Sequence, residues 1–237
     1  MGASPGNAQS DQMRKRIKRI ATSLLIKNGF RGTSYGDIAA KLGITTTNIH
    51  YHFGPKKRLV EVVVHDYVEA TLARHREIWL HPEWTLPEKL RGVVEFNSER
   101  HRRFNRGGIG GRPWSLIGRL RLESDLLSPS AQAALSRFTA ELAGYVRIAV
   151  ERAHEKGELR PDSPLDDIAF LLANIVNTSS TFTQDAGSIQ RLAAFFETVS
   201  RVLTSAYAVS PPVQQAAKGS TNRPEQIVPP AKPSALV

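Results

Sequence analysis

Asp37-Ile-Ala-Ala-Lys-Leu-Gly-Ile-Thr-Thr-Thr-Asn-Ile-His-Tyr-His52 has the spacing of two short helices joined by a tight turn. Ala39 is small where the helices cross closely, and Gly43 can take the positive φ that such a turn demands. Ile38, Leu42, Ile44 and Ile49 form the apolar pivot. Turning those side chains inward leaves the opposite face of the second helix presenting Thr46, Thr47, Asn48, His50 and Tyr51. Hydroxyl, amide and imidazole groups on a short helix suit a DNA major groove, where they meet base edges while flanking cations meet phosphates.

Working outward, Ile17, Ile20, Ala21, Leu24 and Leu25 recur at the spacing of one helical face, and Gly29 ends that helix. Ser34 caps the next helix through the backbone N–H of Asp37, and Thr45 or Thr46 caps the one after, which runs to about Phe53. Gly54-Pro55 breaks the chain, and Pro55 opens a long fourth helix ending near Leu80, with Leu59, Val62, Val63, Tyr67 and Ala70 on its inner side. Further helices are predicted at 86–105, 113–122, 129–156, 164–182 and 188–207, and strand alternation is absent. The class is all-α, with about nine helices in total. The predicted organisation is a disordered N-terminus (1–11), a three-helix domain with the turn motif (12–55), a larger helical domain (56–207) and a flexible Pro-rich tail (208–237). That tail holds six of the fourteen prolines.

The net charge of +10 is concentrated at the amino end: residues 1–60 hold eleven Lys and Arg against Asp11 and Asp37, whereas the remaining 177 residues are nearly balanced. Such asymmetry points to a polyanion, nucleic acid first and an anionic membrane surface second. The 41% hydrophobic content supports a packed core. No run approaches the ~18 apolar residues a bilayer crossing needs, and Met1 to Gln12 lacks the apolar centre of a secretory signal, so a cytoplasmic location is expected. Absence of cysteine removes disulfides, thiolate metal sites and a catalytic thiol.

No P-loop, nucleophile elbow or His-Glu-x-x-His is present, so catalysis has no visible foothold. Glu151-Arg-Ala-His154 has the form of half a metal site without a second half, and neither metal nor cofactor is expected. Gly107-Gly108-Ile109-Gly110-Gly111 lacks a preceding strand and a following Lys-Ser/Thr, and reads as a mobile connection. Around it, Arg100, Arg102, Arg103, Arg106, Arg112, Arg119 and Arg121 either line a pocket for an anionic small molecule or form a solvated face. Arg103, Arg112, Trp114 and Arg119 are the candidate pocket residues. Leu172, Ile175, Leu192, Phe195, Phe196, Val199 and Leu203 give the last two helices broad apolar faces, suited to a four-helix bundle with a second copy or to burial within one subunit.

Across residues 13–63 the chain resembles the TetR family of bacterial transcriptional regulators. The matching residues are Gly29-Phe30, Thr33-Ser34-Tyr35-Gly36-Asp37-Ile38-Ala39, Leu42-Gly43-Ile44 and Ile49-His50-Tyr51-His52-Phe53-Gly54-Pro55-Lys56-Lys57-Arg58-Leu59. One departure is His50, where the family often has Tyr. The resemblance implies a homodimer on double-stranded DNA, with a palindromic operator, repression as the usual outcome and an unidentified small-molecule effector in the larger domain. It implies that Thr46, Thr47 and Asn48 read bases, that Tyr51 adds a base or a backbone contact, and that His50, His52 and Lys56 bind phosphates. Thr33 and Tyr35 would reach the DNA backbone, and Arg14-Lys15-Arg16 would lie along it, enter a minor groove or form a flexible basic arm. The dimer interface would include Leu172, Ile175, Phe195, Phe196, Val199 and Leu203. Two rival readings are a basic amphipathic helix, Met13 to Asn28, on anionic lipid, and an enzyme acting on an anionic small molecule through the Arg-lined pocket.

Overall fold

The computed structural model describes residues 5–105 and 109–209. Arg106, Gly107, Gly108 and most of the predicted tail, 210–237, lie outside the described residues. Helix α1 (Pro5–Asn28) starts within the segment read as disordered. Pro5 stands at its first position, where a missing N–H costs nothing, and no helix breaker follows in the polar stretch to Gln12 except Gly6. Ile17, Ala21 and Leu25 are fully buried and Leu24 nearly so. The apolar face that a lipid-surface helix would need is therefore inside the molecule, and that rival reading loses its basis.

Helix α2 (Tyr35–Leu42) begins with a reciprocal cap: Ser34 Oγ accepts from the Asp37 N–H, and the Asp37 carboxylate accepts from the Ser34 N–H. Gly43 ends it at φ 65°, and the Ile44 N–H reaches back to Ala39 O at 3.2 Å. Helix α3 (Thr46–Phe53) is capped by Thr45, whose hydroxyl accepts from the Asn48 N–H. Ile38 and Ile49 are buried at the crossing, so α1 to α3 form a small headpiece around the anticipated pivot.

The body begins with α4 (Lys56–Trp79), continues through α5 (Leu86–Phe104), α6 (Leu116–Arg121) and a 3-10 turn at Ser124–Leu126, and closes with α7 (Pro129–Glu155), α8 (Leu165–Ala186) and α9 (Ile189–Tyr207). Helix α4 packs along α7, α7 along α8, and α9 on both α5 and α8. Short α6 touches α1, α4 and α8, and so lies between the headpiece and the body. Because α4 has neighbours on two sides, its buried set is wider than the single stripe read from sequence. Val60, Val64, Val68, Leu72 and His75 are inside, while Ala70 is exposed.

The residues expected at a dimer interface differ in how far one protomer already covers them. Leu172 and Phe196 are 0% and 2% exposed within one protomer, because α7, α9 and α5 already cover them. Ile175, Phe195, Val199 and Leu203 are half-buried. The apolar side chains left outside on α8 and α9 are Phe170, Leu171 and Val202.

Candidate nucleic-acid interface

On α3, Thr46, Thr47 and His50 are exposed, and Tyr51 projects furthest with 82% of its surface open. These groups share the side of α3 opposite buried Ile49 and Phe53, which fix the helix on the headpiece. Asn48 is half-buried with its Oδ1 enclosed and unpartnered, so it reaches a base only by turning its side chain outward. His52 is half-buried, with its ring edge-on to Tyr51 at 5.2 Å. His50 stands edge-on to Tyr35 at 4.7 Å, which orients its imidazole at the surface.

Three residues expected at the DNA backbone are occupied elsewhere. Thr33 is 3% exposed, and its hydroxyl donates to Gly29 O at 2.8 Å. Tyr35 is buried and donates to Gly54 O at 2.9 Å, tying the start of α2 to the end of α3; burial pushes its phenol up to about 12. Lys56 donates to Phe30 O and Thr33 O, both at 2.8 Å, with its ammonium 4.2 Å from the centre of the Phe30 ring. Burial lowers its pKa, and the charge of Glu123 pushes back. Lys56 is therefore a clamp on the chain after α1. Arg14 is also held within the headpiece, donating to His52 O and lying 4.5 Å from the centre of the Phe53 ring.

The exposed cations of the headpiece and of the adjoining start of α4 that have no ion pair among the described residues include Lys15, Arg16, Lys41 and Lys57. Lys41 and Lys57 escaped the sequence reading, although a signal existed for Lys57. Helix α4 has no acid in its first turn and no side chain capping its free N–H groups, the arrangement that favours an anion.

The junction between headpiece and body is polar. Glu123 Oε2 accepts from the Phe30 N–H at 2.6 Å, and Arg119 donates to Asn28 O at 3.2 Å. Gly29 lies between them at φ 73°, where an added Cβ would come within 2.3 Å of Glu123 Oε2. Arg119, expected in a ligand pocket, is thus a fastener for the end of α1. On the far side of α6, a Cβ on Gly118 would lie 2.3 Å from Ser180 Oγ of α8, so α6 rests directly on that helix.

The other pocket candidates lie apart from Arg119. Trp114 is 2% exposed, and its indole N–H donates to Thr183 Oγ1 at 2.7 Å. Together with exposed Arg103 it lines a cleft of about 400 Å³ between α1 and α5. Arg112 lines a neighbouring hollow of about 310 Å³. Among the described residues no group of three or more His, Asp or Glu side chains could hold a metal ion, and no helix is long and apolar enough to cross a membrane.

A sequence profile of the family described as bacterial regulatory proteins, tetR family, matches residues 19–63. The HTH-type transcriptional repressor KstR2 of Mycolicibacterium smegmatis is 28% identical over 97 residues, 40% of this chain and 47% of its own length. The chain thus spans about half the length of that curated relative. The HTH-type transcriptional regulator UidR of Escherichia coli is 24% identical over 156 residues, 65% of this chain and 72% of its own. Among solved structures, a TetR-family transcriptional regulator from Agrobacterium tumefaciens superposes with a TM-score of 0.69 at 20% identity, covering 84% of this chain and 100% of that one. That likeness extends the fold through the body. The capped α2–α3 pair lies within residues 19–63, the stretch that is similar to the tetR family of bacterial regulatory proteins.

Proposed function

We propose that the chain is a sequence-specific DNA-binding transcriptional regulator, acting as a homodimeric repressor on a palindromic operator and responding to a small-molecule effector bound in the body. The observation that carries this reading is α3 itself: a helix seated by buried Ile49 and Phe53 whose outward face is Thr46, Thr47, His50 and Tyr51, flanked by exposed cations at Lys15, Arg16 and Lys41 of the headpiece and Lys57 at the start of α4. Thr46, Thr47 and Tyr51 contact bases. The free lysines and the α4 N-terminus hold phosphates.

Phe170, Leu171 and Val202 are apolar groups that a second copy would cover, and they centre the proposed dimer on the outer faces of α8 and α9. A two-fold pair of headpieces then engages half-sites about 34 Å apart. Effector binding reaches the headpiece through α6, which rests on α8 and holds the end of α1 through Arg119 and the adjacent Glu123. A coupling of about 1–3 kcal/mol along that route changes operator affinity by about 5- to 150-fold.

Selection from a pool of randomised duplexes with the purified chain tests the reading. The expected product is an inverted repeat with half-sites about one helical turn apart, whose enrichment is lost with Tyr51→Ala and whose preference changes at one position with Thr47→Ala. Recovery of no preferred sequence, or of a single unpaired half-site, would overturn it.

A further inference from the structure

Between α1 and α5 the headpiece and the body do not close on one another, and the cleft of about 400 Å³ left there is strongly cationic. Arg19 and Lys27 face it from α1, and Arg100 and Arg103 from α5, with Tyr67 and Trp114 on its walls. No Asp or Glu lines it. None of the four cations has an ion pair among the described residues, although the same helices carry paired cations elsewhere, as Lys18 with Asp66 and Arg91 with Glu88 show.

Arg100 is the most telling of the four. Its guanidinium lies 4.8, 4.9 and 5.6 Å from the ring centres of Tyr67, Phe96 and Trp114, and its hydrogen-bond partner is the Tyr67 hydroxyl. That hydroxyl also accepts from the Leu116 N–H at 3.2 Å. Both of its acceptor positions are therefore filled, and its own proton has no acceptor among the described residues. Burial first, and the like charge of Arg103 second, push the Arg100 guanidinium down to about 9. A desolvated cation beside a second one, with no carboxylate near, is costly unless an anion completes the site.

We propose that this cleft binds an organic polyanion of the phosphoester class, its phosphates held by Arg19, Lys27 and Arg103 and its apolar or aromatic part lodged against Tyr67 and Trp114. One carboxylate would neutralise one of four cations, whereas a diphosphate carries enough charge and acceptor oxygens for several. The volume lies within the range of ordinary small-molecule sites. Arg100 and the free Tyr67 proton supply donors at the inner end. Such a ligand touches headpiece and body at once, so its occupancy restrains the angle between them. The site deepens the reading of the body as an effector domain, but its existence does not depend on DNA binding.

The test uses the full chain and inorganic pyrophosphate in calorimetric titration at low ionic strength, without DNA. One saturable site per chain is expected, weakened about tenfold or more in Arg19→Ala/Arg103→Ala through loss of two charge-assisted contacts. Both arginines are exposed, so the pair should leave the fold unchanged, and a circular-dichroism melt matching the parent verifies that. The exposed pair Arg91→Ala/Arg152→Ala, remote from the cleft, should keep the parent affinity. Absence of saturable binding, equal affinity in the α1–α5 variant, or an equal loss in the Arg91/Arg152 variant would overturn the proposal. Operator binding measured separately on the same preparations tells this failure from a failure of the regulatory reading.

Discussion

In the headpiece, apolar Ile17, Ile38 and Ile49 lie inside while polar Thr46, Thr47 and His50 lie outside; in the body, Thr71, His75, Asn97, Ser179, Ser180 and Thr183 are enclosed among apolar helices. The first arrangement leaves a polar outer face over a core that is apolar apart from Thr33 and Tyr35, whose hydroxyls donate to Gly29 O and Gly54 O. The second keeps hydrogen-bonding groups in an interior where each unpaired one costs about 1–3 kcal/mol. Some are satisfied along their own helix, as Ser179 Oγ is by Val176 O at 2.9 Å, whereas His75 Nδ1 has no partner among the described residues. The headpiece is thus organised for contact at its surface and the body for contact within.

The largest expected effect tests whether the pivot belongs to the headpiece alone. Ile49→Ala removes most of a fully buried side chain and should cost about 2–5 kcal/mol. Hydrogen exchange should accelerate much more in α2 and α3 than in α7 and α8; equal acceleration would erase the division. Next comes the buried imidazole of the body. Burial lowers the His75 pKa to about 4, against the usual value of 6.5, so the folded chain resists a proton that the unfolded chain accepts. Stability is full above pH 6.5 and falls as the pH drops toward 4, by about 3 kcal/mol in all. Urea midpoints should fall across that window in the parent and markedly less in His75→Gln. A parallel fall in both would show that His75 is not the group responsible.

A smaller effect separates clamp from contact. Lys56→Met removes two hydrogen bonds to carbonyls and should lower stability by about 2 kcal/mol, while the salt dependence of DNA binding stays as it was. A salt slope reduced by about one would restore Lys56 to the phosphates. Smallest of all is Thr47→Ala, expected to change stability by no more than about 0.5 kcal/mol and to alter base preference at one position. An unchanged preference would remove Thr47 from the reading surface.

The sequence disclosed local features well, because caps, turns and apolar spacing act over a few residues. The Ser34 cap, the Gly43 turn, the Thr45 cap and buried Ile49 all follow from neighbours within one or two helical turns. The hydrogen bonds of Thr33, Tyr35 and Lys56 are not legible in the sequence, because their partners are backbone carbonyls, at Gly29, Gly54, Phe30 and Thr33, which no pattern of side chains reports. Leu172 and Phe196 have the spacing of an interface, but spacing does not say which neighbour covers a face, and here it is the same protomer. The α1 side of the cleft, Arg19 and Lys27, escaped for a related reason, whereas Arg103 and Trp114 were expected at a pocket. Arg19 and Lys27 are far from Arg100 and Arg103 in the chain, and only the packing of α1 beside the body brings them to one opening.

The three tryptophans, Trp79, Trp84 and Trp114, all belong to the body, whereas the headpiece has only tyrosine chromophores, Tyr35 and Tyr51. Selective excitation of indole emission therefore watches one half of the molecule without interference from the other. Trp114 borders the opening between α1 and α5, so an arriving solute that alters its surroundings announces itself optically. The chain thus carries an internal fluorimeter for its body, and the headpiece is left to be followed through Tyr51, whose ring stands almost wholly in water until something covers it.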